Sequence, residues 1–240
     1  MPATLFIVGM GPGDPELVTL KAARILAATR VVAFFAKRGQ PGHARRIAEG
    51  LLRADAELLR CEYPYTTEIA AHDHGYVTAM AGFYDASADA IAAHLDAGRD
   101  VALLCEGDPL FYGSAMYMFD RLAARHRTEI IPGVTGMSAC WTQARLPLAH
   151  GDDVFCVLPG TLAEGALIER LQSCDAAVIM KVGRNLEKIK AAARAAGVAA
   201  RAVYVERGTM RGERVLPLEE VSAAAPYFSL VLVPGRRRVR

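Results

Sequence analysis

Two short turns carry the residue types from which a ligand site is built. Gly9-Met10-Gly11-Pro12-Gly13-Asp14-Pro15 and Glu106-Gly107-Asp108-Pro109 each follow an apolar run. A strand that breaks through glycines into a helix ordinarily presents free N–H groups and a helix dipole to an anion. Here each turn brings its own acid, because Asp14 before Pro15 and Asp108 before Pro109 stand where a helix cap belongs. Such turns repel a nucleotide phosphate and tolerate a ligand made of an adenosine, an amino acid and a sulfonium charge. The dinucleotide fingerprint needs glycine where Asp14 stands, and Lys21 comes a helical turn too late for a P-loop. Past the second turn, Gly107 and Gly113 bracket Phe111 and Tyr112, a flat apolar surface with one phenol. Glu106, Asp108 and Tyr112 are the titratable groups there; Asp108 and Tyr112 are the candidates for acid–base work.

The elements that must hold these turns follow from periodicity. Strand-like runs at 5–8, 31–35, 58–61, 101–106 and 129–131 alternate with helical patterns at 15–28, 44–52, 81–97 and 114–125. Right-handed crossovers then build a mostly parallel sheet with helices on both faces. After Leu146-Pro147-Leu148 the pattern changes. Strands at 154–158, 176–181, 201–206 and 228–233, helices at 166–172 and 186–196, and a hairpin arm at 213–217 imply a mixed sheet. The expectation is an α/β chain of two α/β domains, 1–148 and 149–240, the sheet mostly parallel in the first and mixed in the second. The 63–76 connection is longer than most, as lids and binding loops are.

Composition narrows the partners. With 52% apolar and 22% charged residues the chain reads as a soluble globular protein, and a net charge of +2 argues against nucleic acid. No apolar run approaches the roughly 20 residues of a membrane span, and the start lacks a basic leader, so no membrane and a cytoplasmic location are expected. Cys61, Cys105, Cys140, Cys156 and Cys174 are odd in number and scattered, which fits buried thiols. His72 and His74 lack a third ligand nearby, and no metal is expected. Arg236-Arg237-Arg238 near the end reads as a frayed basic tail.

The first turn, Glu106-Gly107-Asp108-Pro109, Ile131-Pro132-Gly133-Val134-Thr135-Gly136-Met137-Ser138 and Met180-Lys181-Val182-Gly183-Arg184, in this order, resemble the tetrapyrrole methylases, two-domain enzymes that use S-adenosylmethionine. The resemblance runs from the first strand to the last. Residues 106–117, Leu158-Pro159-Gly160-Thr161 and Tyr204–Met210 are most similar to the members that act on corrin-ring precursors.

That resemblance implies a fold like theirs, with the cofactor between the domains and held largely by backbone groups. Carried onto this chain, the cofactor is surrounded by Pro12, Glu106, Gly107, Asp108, Phe111, Thr135, Gly136, Leu158, Lys181, Val182, Gly208, Thr209 and Leu230. It also implies a homodimer and a partly reduced tetrapyrrole substrate, metal-free or cobalt-bearing. Such a ring carries eight carboxylates, for which Arg184 and Arg207 beside Gly183 and Gly208 are the candidate partners, with Lys37, Arg38 and Arg45 as alternatives. Glu206-Arg207-Gly208 departs from the family pattern, in which alanine follows Glu-Arg. The family also includes methylases of RNA and of protein, and a binding module without catalysis is a further alternative.

Overall fold

A computed structural model describes residues 2–64, 74–222 and 224–235. His72, the side chain of His74 and the 236–240 arginine tail lie outside the described residues. The chain forms two compact units, Met1–Thr135 and Gly136–Arg240, and divides ahead of the expected 148/149 boundary. The reason is packing: Met137, Cys140, Trp141, Leu146 and Leu148 join the core of the second unit.

The first unit alternates β1 (Thr4–Gly9), α1 (Leu20–Ala28), β2 (Val31–Lys37), α2 (His43–Ile47), β3 (Glu57–Tyr63), α3 (His74–Asp96), β4 (Val101–Cys105), α4 (Ala115–Leu122) and β5 (Arg127–Ile131). Its sheet has the order β3-β2-β4-β1-β5, all parallel. β1, β2 and β4 are apolar and almost wholly buried, as strands covered on both faces must be. Alternate residues feed two layers. Leu5, Ile7, Leu103 and Cys105 pack with Ile91, Met118 and Leu122 of α3 and α4, whereas Val8, Phe34, Ala102 and Leu104 pack with Leu26 and Ile47 of α1 and α2.

This topology decides where a ligand can sit. β1 and β4 are neighbours, yet the chain leaves β1 for the α1 face and β4 for the α4 face. A crevice opens at the carboxyl ends of two strands whose connections part in this way. The two turns singled out in the sequence are the ones that flank it.

Local capping explains where the elements differ from the periodicity. The helix expected at 15–28 is broken in two: Asp14 caps a short 3-10 turn, Pro15–Leu17, and Thr19 restarts the chain by accepting the Ala22 N–H through Oγ1 at 3.2 Å. Residues 44–52 likewise hold α2 and a separate 3-10 turn, Glu49–Leu51. α3 begins at His74, ahead of the expected 81.

The second unit holds α5 (Gly136–Gln143), β6 (Phe155–Pro159), α6 (Glu164–Ser173), β7 (Ala176–Met180), α7 (Leu186–Ala195), β8 (Val203–Glu206), β9 (Arg214–Pro217) and β10 (Ser229–Val233). The sheet order is β6-β7-β10-β8-β9, with β6 and β7 parallel and the other pairs antiparallel. The carboxyl ends of β6, β7 and β8 therefore share one edge with the amino end of β10.

Glycine is required where three strand ends of the first unit meet. A Cβ on Gly133 would lie 2.2 Å from the Gly107 carbonyl oxygen, and one on Gly9 would lie 2.6 Å from the Gly133 nitrogen. Backbone cannot yield as a flexible side chain does. Gly133→Ala is expected to lower unfolding free energy by at least about 2 kcal/mol in denaturant titrations, as overpacking does. An unchanged midpoint would show that the contact is slack.

Candidate functional site

In the first unit the β1 and β4 turns are tied backbone to backbone. The Gly107 N–H donates to the Gly11 carbonyl at 2.8 Å, the Gly11 N–H donates back at 3.3 Å, and the Met10 N–H reaches the Cys105 carbonyl at 2.8 Å. Gly107 has φ +64°, a conformation that any side chain would strain. Pro12 lies in this bridged segment, partly buried.

Asp108 does something other than start a helix. Oδ1 accepts the Leu110 N–H at 2.9 Å and Oδ2 accepts the Gly133 N–H at 3.2 Å, so one carboxylate clamps the β4 turn to the chain leaving β5. The next helix, α4, begins only at Ala115. With both oxygens engaged, Asp108 is positioned as a structural acceptor. Tyr112 is about half exposed, at 48%, and has φ +55°; its ring meets Phe111 edge to face at 4.9 Å.

Glu106 accepts the Ala44 N–H at 3.3 Å. Its residue is exposed, yet surrounding protein desolvates the carboxyl and pushes it above the ordinary carboxylate range, against the pull of its own and Ala44's N–H groups.

The support beneath this turn is aromatic. Tyr63 and Tyr84 both donate their phenol O–H to the Ser114 hydroxyl, at 2.8 and 3.2 Å, from a cluster of stacked and tilted rings with Phe35, Phe83 and Tyr117. Ser114 and these tyrosines were missed as positioning residues. The only signal was two tyrosines far from the motif.

In the second unit Leu158, Lys181, Val182, Gly208, Thr209 and Leu230 lie at or beside the edge where β6, β7, β8 and β10 end or begin. Leu158 and Val182 belong to one core cluster and Leu230 to another. Lys181, Arg207 and Thr209 have φ of +56°, +53° and +65°. Together with Tyr112 they are four of the five non-glycine residues with positive φ among those described, the fifth being Arg145. Strain concentrated in these turns supports a site, because backbone of this kind persists where its surroundings enforce it.

That enforcement is visible around Thr209, whose N–H donates to Glu213 Oε2 at 2.7 Å. Glu206, 5% exposed, accepts Tyr204 O–H at 2.7 Å and Arg207 Nη1 at 3.2 Å, with Arg214 at 3.6 Å. Burial and this acid raise the Tyr204 phenol above its ordinary range. Arg207 is thus partly engaged inside its own turn, whereas Arg184 is exposed on the 3-10 turn Gly183–Asn185 and has no ion-pair partner among the described residues. Thr135 and Gly136 stand at the junction of the two units, Gly136 opening α5 with open space around it.

Burial raises four of the five thiols. Burial pushes Cys105 and Cys140 up to about 12, and Cys174 to about 11. Cys61, Cys105 and Cys140 are buried as expected; Cys156 and Cys174 are only partly so, packed at the margin of the second core. Among the described residues no group of three metal-ligating side chains forms.

Comparison with known proteins places this geometry. The model of the Tetrapyrrole (Corrin/Porphyrin) Methylases matches residues 4–222. A precorrin-2 C(20)-methyltransferase of Sinorhizobium sp is 57% identical over 229 residues, 95% of this chain and 94% of the relative. The cobalamin biosynthesis protein CobIJ of Mycobacterium tuberculosis is 48% identical over 98% of this chain, which spans 46% of that longer protein. A cobalt-precorrin-2 C(20)-methyltransferase of Salmonella typhimurium is 30% identical, covering 97% of each. Among solved structures, uroporphyrin-III C-methyltransferase of Thermus thermophilus complexed with S-adenosylhomocysteine superposes with a TM-score of 0.67, at 25% identity over 96% of this chain and 97% of that one.

Gly208, the departure from pattern, has a local cause. A Cβ there would lie 2.9 Å from Cys140 Sγ, and the Gly208 N–H is bonded to that sulfur. Gly208→Ala is expected to cost about 1–2 kcal/mol of stability alone and clearly less in a Cys140→Ala background, a coupling of about 1 kcal/mol in a double-mutant cycle. Strict additivity would assign glycine another cause.

Proposed function

The chain belongs to the tetrapyrrole (corrin/porphyrin) methylases, and from that premise we propose that it transfers the methyl group of S-adenosylmethionine to the C20 bridge carbon of precorrin-2, giving precorrin-3A in cobalamin biosynthesis. The observation that carries this reading is 57% identity, nearly end to end, to a precorrin-2 C(20)-methyltransferase. The relative named for the cobalt-bearing substrate is 30% identical, which favours the metal-free ring.

The residues present fit the cofactor. The β1 and β4 turns keep Asp14 and Asp108 at their backbone N–H groups, which disfavours a phosphate, and Glu106 has no cationic partner among the described residues, which suits a sulfonium. Pro12, Glu106, Gly107, Asp108, Phe111 and Thr135 of the first unit and Gly136, Leu158, Lys181, Val182, Gly208, Thr209 and Leu230 of the second are proposed to hold it. When bound, S-adenosylmethionine supplies an electrophilic methyl group.

The chain's own contribution is binding, orientation and exclusion of water, terms that together reach several kcal/mol without a covalent intermediate. The backbone-tied turns give the first unit a fixed surface, and the strained turns do so in the second. Tyr112, exposed on its strained turn, is proposed to face the reacting ring and hold or move a proton there. Asp108 is assigned to positioning. Arg184 is proposed to hold a substrate carboxylate; Arg207 does so from within its pair with Glu206, and Arg45, whose Nε is buried without a partner, is a further donor in the first unit. No helix among the described residues is long and apolar enough to cross a membrane. We propose a cytoplasmic homodimer, its covered surface drawn from exposed groups such as Leu20 and Tyr227; sedimentation distinguishes it from the 25.8 kDa monomer.

Incubation with labelled S-adenosylmethionine and reduced tetrapyrrole, ribosomes or no acceptor tests the reading. Label is expected in the tetrapyrrole at C20 alone, and in Arg184→Ala the KM for the ring is expected to rise up to about fivefold, less at high salt, as an exposed pair implies. Label in ribosomes and none in the ring would contradict it.

A further inference from the structure

Two guanidiniums of the second unit share one buried acid. Glu206, at the end of β8, is 5% exposed, and its Oε2 accepts the Tyr204 O–H at 2.7 Å. Its Oε1 meets Arg207 Nη1 at 3.2 Å and Arg214 Nη1 at 3.6 Å. Strand pairing dictates this grouping: Tyr204 and Glu206 fall on one face of β8, and Arg214 is the residue of β9 directly opposite Glu206. Arg207 follows at once, its backbone turned to φ +53°. Its N–H donates to the Phe228 carbonyl at 2.9 Å, and its own carbonyl accepts the Met210 N–H at 2.7 Å.

One acid does not explain two cations. A single guanidinium neutralises a carboxylate and fits it with two parallel bonds. Here two are gathered at one oxygen against their mutual repulsion, and neither pairs with a second acid among the described residues. Glu213, on the same turn, has Oε2 engaged by the Thr209 N–H at 2.7 Å. The group of Glu206, Arg207 and Arg214 therefore carries a net positive charge.

That charge is presented to solvent in a prepared form. Each guanidinium is a rigid fork of N–H donors, and one nitrogen of each is turned to Glu206. The two side chains are 42% and 49% exposed, which leaves the remaining donors side by side and open. A buried anion beneath them and a paired hairpin around them restrict both stems before any ligand arrives, so less freedom is lost on binding.

Resting on the reading that the chain acts on a carboxylate-bearing tetrapyrrole, we propose that Arg207 and Arg214 form one clamp that holds a single carboxylate of the ring. Glu206 aims both guanidiniums from below, and the ring carboxylate takes the open donors of the two together. Bound to Glu206, Arg207 is a limited partner by itself; Arg214 supplies what it lacks. Gly208 and Thr209, proposed to hold the cofactor, follow Arg207 directly in the chain, so the clamp ties one point of the ring to the cofactor turn.

Steady-state kinetics with the reduced tetrapyrrole, together with calorimetric binding of S-adenosylhomocysteine, test the clamp. Arg207→Gln and Arg214→Gln each leave Glu206 one guanidinium, and each is expected to raise the KM for the ring about fivefold, with kcat and thioether binding within about twofold of wild type. Both substitutions are then combined with Glu206→Gln, so that no buried charge is left unpaired. This triple variant is expected to raise KM less than about tenfold, where independent contacts would multiply to about 25-fold, because either loss opens the same clamp. Arg214→Lys, a charge without the fork, is expected to recover part of the loss. An unchanged KM in both single variants, or a multiplied effect in the combined one, overturns the proposal. So does weaker thioether binding at unchanged KM, which would give the pair to the carboxylate of the cofactor. A wild type that labels no tetrapyrrole overturns the functional reading as well.

Discussion

One carboxylate and three glycines hold the first-unit site together. Asp108 accepts N–H groups from its own turn and from Gly133 beyond β5, Gly9 and Gly133 approach each other and the Gly107 carbonyl more closely than a Cβ permits, and Gly107 takes the positive φ that its turn requires. Two consequences follow from one contact. The strand ends on either side of the crevice become a single rigid surface, and negative charge is installed where a phosphate-binding fold keeps N–H groups free. These turns thus disfavour a phosphate through their backbone contacts alone.

The second unit reaches the same end by other means. Its turns depend on strained residues, Lys181, Arg207 and Thr209, held by specific polar contacts: Glu213 to the Thr209 N–H, and Glu206 between Tyr204, Arg207 and Arg214. Threonine with positive φ is an uncommon arrangement, because its branched Cβ crowds the backbone. The acid at 206 also limits Arg207 as a free partner for substrate, which leaves Arg184 the more available of the two arginines expected to bind carboxylates.

The two sheets and the order of the site turns were legible in the sequence because glycine, proline and acid recur at strand ends, where chain direction and ligand contact are both decided. Asp108 was legible as an acid at a turn, but its second bond, to Gly133, joins residues 25 apart and has no local signature. The same holds for Ser114 under Tyr63 and Tyr84, 51 and 30 residues away in the chain. Thr19 illustrates a different loss: a capping hydroxyl inside an apparently continuous helical pattern restarted the helix, and pattern alone gave it no weight. α3 starts at His74, and of its first turns Met80 packs against the first core. Gly208 read as an oddity until its neighbour Cys140, on α5, was in place.

The account stands on Asp108 as a clamp that leaves acid–base work to other groups. Asp108→Asn keeps an acceptor for Leu110 and turns the other position into a donor that cannot take the Gly133 N–H. The most direct measurement pairs thermal or denaturant unfolding of this variant with the pH profile of its turnover. The account predicts a loss of about 1–3 kcal/mol of stability and weaker cofactor binding, with the limbs of the pH profile in place. Full stability together with loss of the acidic limb would contradict it and make Asp108 the proton acceptor.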